Sequence, residues 1–109
     1  MTTKPTVTKP PKHLSADSRA WWSQIAETFV LDTQHLRLLT LCCEAWERTQ
    51  EARERLTEDG SYFTDRFGQV RPHPAVTVER ESARTFARLL RELCLDDEPD
   101  APASPRARF

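Results

Sequence analysis

Between Asp32 and Gly60 the chain runs for about 27 residues without a glycine or a proline. Nothing in that stretch breaks a helix, so it predicts one rod of roughly 40 Å. Asp32 is a good N-cap, and Gly60 is a natural residue just past a helix end. Such a rod must find cover. Leu36, Leu39, Cys43 and Trp46 line one side of its first half, and Leu38, Leu41, Cys42 and Ala45 line another. The second half keeps only Ala45, Ala52 and Leu56 among Glu47, Arg48, Glu51, Arg53, Glu54, Arg55 and Glu58. The first half is therefore expected to be buried all round and the second to be an exposed arm with one neighbour. Glu44–Arg48 and Glu51–Arg55 stand in the favourable order for i,i+4 ion pairs.

Two further helices flank the rod. Ser15 is an N-cap with Leu14 before it as a hydrophobic staple, and Asp17 suits the first turn. Trp22, Ile25, Ala26 and Phe29 follow at helical spacing, with Trp21 widening the stripe, which predicts a helix over 15–29. After the rod (33–59), residues 61–71 change period. Tyr62-Phe63-Thr64 and Gln69-Val70-Arg71 flank Asp65-Arg66-Phe67-Gly68, the pattern of a short β-hairpin with Gly68 at a positive-φ position. Pro74 suits the first position of a third helix, over about 75–94. Val76, Ala83, Phe86, Ala87, Leu90, Leu93 and Cys94 give it an apolar stripe with seven-residue echoes. The expected fold is mainly α: three helices and a short hairpin in one domain, 14–95, between a flexible basic arm (1–13) and a flexible acidic tail (96–109).

Several function classes fall away. The only glycines are Gly60 and Gly68, too few for a phosphate-cradling loop. Cys42, Cys43 and Cys94 are an odd count with two adjacent, so they build no disulfide framework and fit a reducing cytoplasm. His13, His35 and His73 supply no metal-ligand spacing, and no acid–base or nucleophile constellation accompanies the cysteines. No metal, cofactor or catalytic residue is expected. The N-terminus has no apolar core of a secretory signal, and no apolar run is long enough to cross a membrane.

The net charge of −1 is a cancellation. Residues 1–13 carry +3, 14–60 carry −4, 61–74 and 75–95 carry +1 each, and 96–109 carry −2. Arg80, Arg84, Arg88 and Arg91 fall within about 80° of one side of the third helix. They have two readings: a solvated face paired with Glu81 or Glu92, or, multiplied in an oligomer, a surface that holds a polyanion. Lys4, Lys9 and Lys12 of the arm are likewise either solubilising or phosphate-binding. Lys9, Lys12, Arg80, Arg84, Arg88 and Arg91 are the candidate DNA contacts. Trp22, Trp46, Leu56, Phe63 and Phe67 are the candidates for contacts between copies. The tryptophans read as core or interface, and Tyr62, Phe63 and Phe67 as cover for the helix junction or for a neighbouring subunit.

Pro10-Pro11-Lys12-His13-Leu14-Ser15 is followed one helix later by Trp21-Trp22. Leu36 to Trp46, with Cys43-Glu44-Ala45, leads into the Glu/Arg-rich arm, and Glu58-Asp59-Gly60 turns into the extended segment. Val70-Arg71-Pro72-His73-Pro74-Ala75 starts the third helix, Leu89-Leu90-Arg91-Glu92-Leu93-Cys94-Leu95 ends it, and Ser104-Pro105-Arg106-Ala107-Arg108-Phe109 closes the chain. In order and spacing, over about residues 10–109, these parts resemble a family of phage terminase small subunits. His73 stands where that family usually has Asn, and Cys94 where it has Gly. The resemblance implies a non-enzymatic packaging factor that forms a ring. It would recognise viral double-stranded DNA and bring in the large terminase subunit, which carries the ATPase and nuclease, in the host bacterial cytoplasm during phage assembly. The tail, through Arg106, Arg108 and Phe109, is expected to dock the large subunit or the portal. Two other readings of the residues are a helical interaction adaptor without nucleic acid and a small helix-turn-helix regulator. The latter has little to offer, since Ala26–Gln34 has no Gly turn and Thr33–Cys43 presents only Gln34, His35 and Arg37.

Overall fold

The computed structural model describes residues 9–95 and 106–107. Helix α1 spans Ala16–Thr28, α2 Thr33–Asp59 and α3 Pro74–Leu93. Local caps set these bounds. The Ser15 side chain accepts from the Ser18 N–H, and Asp32 accepts from the His35 N–H at 3.0 Å. His73 takes over the capping role of Asn: its Nδ1 accepts from the Ala75 N–H at 3.0 Å while its Nε2 meets Asp59 at 2.9 Å. Gly60 ends α2 at φ +82°, its N–H bonded to the Leu56 carbonyl. Cys94 ends α3 in the left-handed region at φ 54°, ψ 43°, a conformation that suits the glycine expected there better than a residue with Cβ.

Helices α2 and α3 form an antiparallel hairpin, as the pairings Cys42–Phe86, Thr49–Ser82 and Arg53–Glu79 show. Helix α1 packs on the proximal end only. There Leu14, Trp22, Ala26, Leu39, Cys43 and Leu93 make the core, with Leu14 joining it rather than merely stapling its own helix. The Trp22 indole N–H donates to the Thr40 hydroxyl at 3.1 Å. Farther along, the seam is thin: Ala45, Thr49 and Ala52 of α2 against Ala75 and Ser82 of α3. These repeat at seven-residue intervals, the spacing that keeps two helices in contact along a seam. The Thr49 hydroxyl donates to Ser82 Oγ at 2.8 Å, and Ser82 donates on to the Val78 carbonyl.

This seam rotates α3 relative to the expected stripe. Ala75 and Ser82 are buried, Val76, Ala83, Phe86, Leu90 and Cys94 are half-buried, and Ala87 is exposed. Ser82 can occupy the seam because Thr49 meets its hydroxyl, so a polar residue takes a place that the apolar pattern assigned elsewhere.

At the far end, β2 (Tyr62–Thr64) pairs antiparallel with β3 (Val70–Pro72), Phe63 opposite Arg71. Every residue of both strands is exposed. Asp65 holds the turn. Its Oδ1 accepts from the N–H groups of Phe67 and Gln69, and its Oδ2 accepts from Arg71 Nε at 2.6 Å. A second pairing was not expected: β1 (Phe29–Val30) runs antiparallel to β4 (Arg106–Ala107), Phe29 opposite Ala107. Arg106 and Ala107 therefore lie against the α1–α2 junction, where the sequence predicts an unstructured tail.

Candidate nucleic-acid interface and assembly surfaces

Helix α3 turns one face to α2 and leaves the opposite face open. Arg80, Arg84, Arg88 and Arg91 lie on that open face, all exposed. Among the described residues none of the four is in an ion pair, and neither Glu81 nor Glu92 pairs with them. Four cations at intervals of four, four and three residues span about 16 Å of one helix face. They leave their guanidinium donors free for anions.

The ion pairs that do form lie elsewhere. Arg53 meets Glu79 at 2.9 Å across the α2–α3 seam, and Arg71 meets Asp65 in the hairpin. Glu44 turns to His13 at 2.7 Å, and neither of the expected pairs, Glu44–Arg48 and Glu51–Arg55, is among those formed by the described residues. Exposed i,i+4 pairs are worth only a few tenths of a kcal/mol, too little to hold two long side chains against a better partner.

Lys9 and Lys12 are exposed, Lys9 beside Thr33 and Arg37 at the start of α2. The chain around them is anchored. Arg19 donates to the carbonyls of Lys12 and Leu14, and the Ser15 N–H donates to Glu47 at 2.6 Å. Burial opposes ionisation of Glu47, but this hydrogen bond and the Ser15 and Ser18 side chains hold its carboxyl below the usual range. The arm expected to be free through residue 13 is thus tied down from Lys12 onward, and residues 1–8, with Lys4, lie outside the described residues. The lysines flank α1 and α2, whereas the arginines line α3.

The candidate contacts between copies divide sharply. Trp22 is 3% exposed and belongs to the core of its own chain, so it is withdrawn as an interface residue. Leu56 is half-buried near the distal end of α2. Trp46, Phe63 and Phe67 are exposed, Phe67 to 74%, together with Tyr62 and Val70. In the tail, Arg106 is described only as part of β4, and Arg108 and Phe109 lie outside the described residues.

The sequence reading missed one cavity. Trp21 and Trp46 both tilt against Phe86, with ring centroids 6.4 and 5.4 Å away. Together with Cys43 and Leu90 they line an apolar slot of about 400 Å³. Asp17 stands at its edge, and next to it Glu47, Glu51 and Glu54 line a polar depression. Trp21 widens the stripe of α1, and Trp46 and Phe86 belong to the stripes of α2 and α3, but spacing within each helix does not say that the three rings meet.

Cys42 and Cys43 offer no chemistry: burial pushes both thiols up to about 12, so they stay protonated at neutral pH. Among the described residues no group of three or more His, Cys, Asp or Glu is placed to hold a metal ion, and no helix is long and apolar enough to cross a membrane.

A family model for phage terminase, small subunit, matches residues 18–102. The chain belongs to the phage terminase small-subunit family. The match begins inside α1 and takes in the long rod, the hairpin and α3, the parts whose order carried the resemblance. Terminase small subunits are non-catalytic. No curated protein and no solved structure matches the chain.

Proposed function

We propose that this terminase small subunit is a packaging-initiation factor. It assembles into a ring, binds viral double-stranded DNA through Arg80, Arg84, Arg88 and Arg91 with help from Lys9 and Lys12, and recruits and regulates the large subunit in the host bacterial cytoplasm. The observation that carries this reading is the row of four exposed arginines without ion pairs on the open face of α3. One copy supplies only four charges there. A ring repeats them, which is how a nearly neutral chain can present a field strong enough for a polyanion. The contacts go to phosphates, so they position DNA rather than read its bases.

The test is an anisotropy titration of duplex DNA against salt, with native mass measured in parallel. Each phosphate neutralised contributes about 0.9 to the slope of log K against log salt. Arg84→Glu with Arg88→Glu is expected to weaken binding and flatten that slope while leaving the assembly mass unchanged. A monomeric wild-type protein without salt-dependent affinity refutes the reading. Loss of assembly in the double variant favours an adaptor whose arginines bind acidic faces of neighbouring copies. For the tail, deletion of 96–109 is expected to abolish stimulation of the large subunit or docking to the portal, and intact packaging overturns that role.

A further inference from the structure

The distal hairpin ends in an aromatic knob that nothing among the described residues covers. Phe67 is 74% exposed, Tyr62 66% and Val70 70%, and the Arg66 guanidinium lies 5.1 Å over the Phe67 ring. Two-stranded hairpins are marginal in water on their own, and clustered apolar side chains at an exposed tip mark a contact surface. Tyr62 and Val70 share one face of the hairpin, with Phe67 in the turn at its tip, and the three leave on the order of 450 Å² uncovered, over half of the about 800 Å² each partner buries in a standard interface.

The proximal body carries the complementary feature. The slot between Trp21, Trp46 and Phe86 has room for an aromatic ring. Asp17 lines its edge, and Glu51 and Glu54 line the depression that adjoins it at Asp17 and Trp46, all three carboxylates exposed. None of these three carboxylates has an ion pair among the described residues. The knob presents a ring with a cation stacked on it, and the slot presents rings with carboxylates beside them. Shape and charge both match.

A hairpin cannot reach the slot of its own chain. Trp46 and Asp59 are separated by thirteen residues of unbroken helix, about 20 Å, and the hairpin lies beyond Asp59. We propose that the Arg66–Phe67 knob of one copy seats in the Trp21–Trp46–Phe86 slot of the next. Knob and slot are different surfaces, so the contact is heterologous. It leaves one free knob and one free slot after every addition, and it closes only when the copies complete a ring. The proposal rests on the assembly reading above and specifies its interface and polarity.

The experiment measures native mass by sedimentation velocity on the full-length protein, with helical circular dichroism confirming the fold of each variant. All altered residues are exposed, so the fold is expected to hold. Phe67→Ser is expected to weaken self-association at least tenfold. Arg66→Glu alone, and Glu51→Arg with Glu54→Arg alone, are expected to do the same by placing like charges together. All three charge changes in one chain restore complementarity with the sign reversed, and assembly is expected to return. A Phe67→Ser protein of wild-type mass overturns the knob, as does failure of the triple change to restore assembly. If Phe67→Ser keeps its mass but loses DNA affinity, the tip is a nucleic-acid contact and the proposal is wrong. A wild-type monomer removes this interface and the ring together, whereas a wild-type ring indifferent to Phe67 removes the interface alone.

Discussion

Helices α2 and α3 pack against each other along two regions that follow different rules. In the proximal region they join α1 around Leu14, Trp22, Leu39, Cys43 and Leu93, large or fully buried side chains in a three-way junction. In the distal region the same helices touch through Ala45, Thr49, Ala52, Ala75 and Ser82, with a hydroxyl pair at the centre. The proximal region can hold itself folded, because burying a Leu or Trp contributes about 2–3 kcal/mol. The distal seam buries mostly methyl groups and contributes far less. It serves as a narrow, straight arm that carries the hairpin away from the body and leaves the arginine face of α3 open. Stability is concentrated at one end, whereas the surfaces offered to partners run the length of the molecule, from the aromatic slot and Arg88 and Arg91 beside the proximal core to the hairpin tip.

The sharpest way to break this contrast is to empty the proximal core. Leu39 is fully buried, and Leu39→Ala is expected to cost about 3 kcal/mol in denaturant unfolding at fixed protein concentration. An effect below about 1 kcal/mol, the ordinary size of a point-mutant change, would show that the junction does not carry the fold. The distal seam is expected to respond differently. Thr49→Val alone removes the group that accompanies Ser82 and is expected to cost about 1 kcal/mol, whereas Thr49→Val with Ser82→Ala removes both partners and is expected to be closer to neutral. Strict additivity of the two changes would show that the hydroxyls act independently.

Much of this division was legible in advance where the cause is local. Ser15, Asp32, His73 and Gly60 mark the helix ends to within a residue, because capping is decided by side chains within one turn. The loss of apolar residues halfway along α2 announced the thin arm. What stayed hidden depends on partners distant in sequence. Ser82 reads as a surface residue until Thr49 is set opposite it. Trp22 reads equally as core or interface until α2 closes over it. The β1–β4 pairing joins Phe29 and Val30 to Arg106 and Ala107, far apart in sequence, with no periodicity to betray it. The same holds for the site: the arginine row was visible as helical spacing, while the aromatic slot needs three helices in place before it exists.

Cys94 lets the proximal end be tuned. It terminates α3 with φ 54°, where a Cβ is crowded and glycine is not. Cys94→Gly is expected to stabilise the chain by roughly 0.5–1 kcal/mol in the same unfolding experiment, the strain relieved outweighing the backbone freedom gained by the unfolded chain. A loss instead of a gain would show that the Cys94 side chain, half-buried at the helix end, contributes more than its backbone costs.

The smallest effect is confined to the hairpin. The Arg71 side chain, together with the Gln69 and Phe67 N–H groups, holds the Asp65 carboxyl below the usual carboxylate range. A depressed folded value means that the contribution is complete above the unfolded carboxylate range near pH 4 and is lost as pH falls through the lower folded value. Asp65 is half-buried within a hairpin whose strands are themselves exposed, so the expected consequence is local order rather than global stability. Acidification through that window should increase amide exchange at Phe67 and Gln69. Asp65→Asn should do so already at pH 7, with the Leu39 and Cys43 amides unchanged in that variant. Protection at the tip that survives both changes would mean that the knob is held by something other than its turn, and the contrast between a self-sufficient body and a presented tip would fail at the tip.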